Sequence, residues 1–147
     1  MAVDIREYLE QYRDMVRMIR NLDSEIYELR SRLTSVKSTI GDGMPKAPSP
    51  ERSAEKLHAI LADKIREKES VRLQAEWKRL EVEEVIDAVT DPVYHRLLQD
   101  RYSNLLEWQD VTVNLRYKSC NYVRATLHRK ALQAADEILN GKTNVRT

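Results

Sequence analysis

Between residues 116 and 130 the chain carries Arg116, Lys118, Arg124, Arg129 and Lys130 with no acid among them, a local +5 in a protein whose formal total is +1. Guanidinium and ammonium groups free of acidic neighbours suit the phosphates of a polyanion. Base edges are read by Asn paired bidentately with adenine or Arg with guanine, and Asn121 and Arg124 both lie in this run. Residues 1–90 hold 16 Lys and Arg against 18 Asp and Glu, or −2. The near-neutral total is therefore an average over two differently charged parts.

Other chemistries find no support in the residues. Cys120, the one cysteine, has no partner for an internal disulfide or a CxxC pair, which fits a reducing compartment. His58, His95 and His128 share no ligand spacing, so no metal site is expected. The stretch Gly41-Asp-Gly-Met-Pro-Lys46 lacks the Gly-Lys-Ser ending and the preceding strand of a phosphate loop, and HExxH is absent. Glu83-Glu84 and Asp136-Glu137 read as solvated helix charge. No catalytic residue and no cofactor is expected, and the chain reads as a non-enzyme.

The elements that must position the basic run read as helices. Three Gly, four Pro and no Phe leave too few turn residues for a sheet, so the fold class is all-α. From Ile5 the apolar residues recur three and four apart, in an a/d series through Tyr8, Tyr12, Met15, Ile19, Leu22, Ile26, Leu29, Leu33, Val36 and Ile40. Ile5, Tyr12, Ile19, Leu22, Ile26, Leu29 and Leu33 are the expected coil seam. Such a helix needs a partner helix for its stripe. Residues 41–52 collect two Gly and three Pro as a loop, with Ser53 as the expected cap of a second helix. That second stripe is looser, with Lys64, Lys68 and Lys78 at inner positions, stems along the seam and ammonium groups at water. Arms of similar length favour an antiparallel helical hairpin or coiled coil over residues 1–89. Tyr8 and Tyr12 are expected at the core edge, Trp77 and Trp108 as packing anchors.

Asp91-Pro92 marks a new start, cap then first helical position. Three short helices are expected over residues 90–141, carried by Val93, Leu97, Leu98 and Tyr102, then Leu105, Trp108, Val111 and Leu115, then Val123, Leu127, Ala131, Leu132, Ala135, Ile138 and Leu139. Ser119 is the expected N-cap of the last and Gly141 its stop, with residues 142–147 a frayed tail. Trp108–Leu132 has the spacing of a helix-turn-helix, turning at Arg116, Tyr117 and Lys118. Its candidate DNA-binding residues are Lys118, Ser119, Asn121, Tyr122, Arg124, Ala125, His128, Arg129 and Lys130.

The run from Asp91 to Leu132 resembles region 4 of sigma-70 factors, and in particular the ArpU-type late-gene regulators of phages. The resemblance rests on Asp91, Pro92, Tyr94, Leu97, Leu98, Arg101, Tyr102, Trp108, Val111, Leu115, Tyr117, Ser119, Tyr122, Val123, Leu127, His128, Ala131 and Leu132. Thr112 departs from a small Ala place and Thr126 from a common Arg. The likeness covers about the last third of the chain and implies a sigma region 4-like three-helix domain, binding to double-stranded DNA and transcription control of phage or prophage genes. The coiled half is then expected to give a homo-oligomer or to contact host RNA polymerase. Two alternatives stand beside this reading: a non-enzymatic coiled-coil adaptor, and a DNA-binding packaging protein similar to small terminase subunits. The charged N-terminus and the lack of a long apolar run fit no membrane span and a cytoplasmic protein.

Overall fold

The computed structural model describes residues 2–40 and 50–144, and every regular element among them is helical. The order is α1 (Ile5–Ile40), α2 (Pro50–Ala88), α3 (Pro92–Leu98), a π segment (Gln99–Ser103), α4 (Trp108–Leu115), α5 (Cys120–Tyr122), a second π segment (Val123–Leu127) and α6 (His128–Asn144). The loop expected from Gly41 and the last residues of the expected tail lie outside the described residues. None of the described helices is long and apolar enough to cross a membrane.

Helix starts follow local chemistry. The Asp91 carboxylate accepts from the backbone N–H groups of Val93 and Tyr94 at 2.9 and 3.1 Å, and Pro92 follows in a position that needs no N–H. Two local expectations give way. Ser53 is inside α2, which begins at Pro50, so it caps nothing. Gly141 does not stop α6, which runs on to Asn144: a glycine ends a helix when the backbone turns left-handed there, and an α-helical glycine merely costs about 1 kcal/mol relative to alanine.

The chain divides into two compact units, one of Met1–Asp14 with Ala75–Thr147 and one of Met15–Gln74. The first turns of α1 and the last of α2 share one core with the C-terminal helices: Leu9, Val82, Ile86, Leu97, Leu98, Tyr102, Val111, Val123, Ala131 and Ala135 are all at most 2 % exposed. Leu9 stands outside the a/d series, yet it is fully buried. A helix facing a multi-helix core covers a wider stripe than a two-helix seam does.

In the unit of residues 15–74 the buried positions of α1 form a narrow stripe, with Ile19 half-buried. Leu22, Ile26, Leu29 and Leu33 of α1 are buried, as is Val71 of α2. Lys64 pairs with Glu25 at 3.0 Å and Lys68 with Asp23 at 2.5 Å, so the pairs descend along α1 as they ascend along α2. Lys64, Lys68 and, in the other unit, Lys78 are half-buried, as expected of stems lying inward with their charge at the edge. Trp77 corrects its expectation: it is 69 % exposed, because the inner heptad positions of α2 in this region fall on Ala75, Lys78 and Val82.

Candidate nucleic-acid interface

Within the unit that contains the C-terminal helices, α4 ends in a Schellman turn. Arg116 N–H bonds Val113 O and Tyr117 N–H bonds Thr112 O, with Arg116 itself left-handed at φ 63. Non-glycine residues occupy this region at a cost of about 1–2 kcal/mol. The Thr112 hydroxyl is satisfied by Trp108 O at 2.7 Å, so its place in a buried position leaves no polar group bare. Three residues after Arg116 the chain re-enters helix at the Ser119 cap, whose hydroxyl accepts from Tyr122 N–H at 3.2 Å.

Val123, Leu127, Ala131 and Ala135 then recur every four residues as the buried face. The opposite face is set by the same register. Arg116, Lys118, Ser119, Asn121, Tyr122, Arg124, Ala125, Arg129 and Lys130 are all exposed. Val113 and Tyr117 are exposed beside them, and Tyr117 meets Tyr122 edge to face at 5.9 Å between centroids. Arg124 Nη2 donates to Asn121 Oδ1 at 2.9 Å.

His128 does not join this surface, contrary to the sequence expectation. It is 7 % exposed, with its Nε2 2.5 Å from the Tyr102 hydroxyl and its ring edge-on to Trp108 at 4.6 Å. With the ring neutral and its proton on Nδ1, Tyr102 Oη–H can donate to Nε2. The His128 backbone N–H goes to the carbonyls of Ala125 and Val123, the i−5 partner being the mark of the second π segment. Burial, then the charges of Arg6 and Arg101, push the His128 pKa down from 6.5 to about 4, while burial pushes the Tyr102 phenol up to about 12.

No family model matches this chain, and neither a curated protein nor a solved structure does.

Two residues of the first π segment, to which the sequence assigns no structural role, brace the helices of this unit. Asp100 is 1 % exposed and accepts from Arg96 Nε at 3.0 Å and from the side-chain amides of Asn104 and Asn114 at 3.3 and 3.0 Å. It ties the first π segment to α4. The signal was present in the sequence as an acid set between the apolar positions Leu98 and Tyr102. Arg101, one residue on, lies over the Trp108 ring at 4.6 Å and donates to Leu106 O at 3.0 Å. Trp108 is thereby held between Arg101 and His128, the anchoring role expected of it. Among the described residues no group of His, Cys, Asp and Glu could hold a metal ion.

Proposed function

We propose that residues 108–132 form a helix-turn-helix that binds double-stranded DNA, with α4 as its first helix and the helical run from Cys120 as its recognition helix. The observation that carries this reading is the exposed basic face itself. The cations of the 116–130 run stand at the surface, on a stretch without Asp or Glu from Val111 to Ala135, while the hydrophobic residues of that stretch that anchor it point inward. A tight turn followed by a polar-capped helix with exposed Asn and Arg early in its course is the geometry that enters a major groove. Lys118, Arg129 and Lys130 are the phosphate contacts; Asn121, Tyr122, Arg124 and Ala125 face the bases, with Ser119 fixing the entry of the helix. His128 is a support of this surface and not a contact.

The sigma region 4-like resemblance agrees with this assignment and extends it to transcription control of phage or prophage genes in the cytoplasm. The long helices are read as a helical hairpin, an arm suited to contact a protein such as RNA polymerase. A second copy is not needed to bury the seam, since Leu22, Ile26, Leu29 and Leu33 are already buried within one chain. The test is fluorescence anisotropy of a labelled duplex with the full chain, over a range of salt. Micromolar binding at low salt that weakens steeply as salt rises supports the reading; no binding at low ionic strength defeats it.

A further inference from the structure

By residue type alone Asn121 suits adenine and Arg124 guanine, each as an independent base reader. Their geometry is not independent. Asn121 Oδ1 takes a hydrogen bond from Arg124 Nη2 at 2.9 Å, three residues along one exposed helix face. That bond fixes the amide. With the opposite flip its NH2 would confront the guanidinium donor to donor. The oxygen needed to accept from adenine N6–H thus points at Arg124, while the bond consumes one of the five guanidinium N–H groups. Nη2 has two hydrogens, one shared with each fork of the guanidinium, so whichever hydrogen Asn121 holds, one intact fork remains for a partner with two adjacent acceptors. Guanine O6 and N7 are such a partner. The elements behind the pair hold it in place: Val123 and Leu127 are buried on the reverse face, and the Ser119 cap sets the first turn that carries Asn121.

We infer that Arg124 is the specificity-determining residue of this face and reads a guanine, and that Asn121 is its positioning residue and not an adenine reader. This rests on the DNA-binding reading above and adds a base to it. Selection of sites from a randomised duplex pool by the full chain tests it, followed by affinity measurements on the selected site and its single-base variants. Guanine is expected at one position of the selected site, preferred over other bases on the order of tenfold to a hundredfold. Arg124→Ala abolishes that preference. Asn121→Ala reduces it several-fold while binding to random duplex stays near wild type, and Asn121→Asp, which keeps an acceptor for the guanidinium, retains it with uniformly weaker binding to all sequences. Thermal melts on each variant verify that the fold is unchanged, so a loss confined to one base pair is not a folding effect. An adenine preference lost in Asn121→Ala overturns the inference, as does a guanine preference indifferent to Asn121. Duplex binding with no preference at any position overturns the inference alone; absence of duplex binding removes both it and the DNA-binding reading.

Discussion

His128 is buried as a neutral ring, and its pKa of about 4 against about 6.5 in the unfolded chain makes stability depend on pH. Between these values the unfolded chain binds more protons. Stability is therefore retained above pH 6.5 and lost as pH falls toward 4, by up to about 3 kcal/mol from this residue. Denaturant melts at pH 7 and pH 4.5 check it: wild type should lose stability across this range, and His128→Leu, less stable at pH 7, should lose less. Identical slopes would mean that the ring is not buried neutral. Asp100 is the other residue whose removal should be felt. Asp100→Ala strips Arg96 of its carboxylate and leaves the Asn104 and Asn114 amides without their acceptor. Arg96 is half exposed and returns to water, so the expected loss is about 2 kcal/mol and not the larger figure for a fully buried pair. A urea midpoint unchanged within error would show that the network contributes nothing.

At the scale of elements, the turn after α4 and the seam of α1 make opposite predictions. Arg116 occupies a left-handed position that glycine adopts without strain. Arg116→Gly should relieve about 1 kcal/mol of native strain, partly offset by the freer unfolded chain, and leave the melting temperature equal or slightly raised. A clear fall would place the strain elsewhere. Ile26, 6 % exposed, lies in the seam, and Ile26→Asp puts an unpaired carboxylate there. A loss of more than about 3 kcal/mol is expected, visible as reduced helicity in circular dichroism at temperatures where wild type is folded. The Lys64–Glu25 and Lys68–Asp23 pairs are solvated and screened, and should each add little to stability. Their larger effect is on register, because each lysine at an inner position meets an acid in one alignment of the helices.

Across the whole molecule the decisive quantity is where charge sits. Removing two phosphate-facing cations with Arg129→Ala and Lys130→Ala should reduce the slope of log affinity against log salt by about 2 and leave helicity intact. An unchanged slope would mean that these cations do not meet phosphates. Much of the architecture was legible in the chain because its causes are local. Helical spacing survives any tertiary context, Asp91 and Ser119 cap helices with their own side chains, and the seam through Leu22, Ile26, Leu29 and Leu33 is a repeat in sequence before it is a surface in space. The acid-free stretch is likewise a property of composition. Which residues face inward at the junction of several helices is not local. His128 and Arg129 are neighbours with the same polarity, yet one is sealed against Tyr102 and Trp108 and the other stands in water. Leu9 is buried off the heptad and Trp77 exposed despite its size, while Asp100 is buried where an acid is normally solvated. The sequence by itself determined the helices, their starts and the location of positive charge, through backbone periodicity and side-chain chemistry. Only the tertiary structure decided which face each helix buries where more than two meet, because that depends on the shapes and free hydrogen-bonding groups its neighbours present.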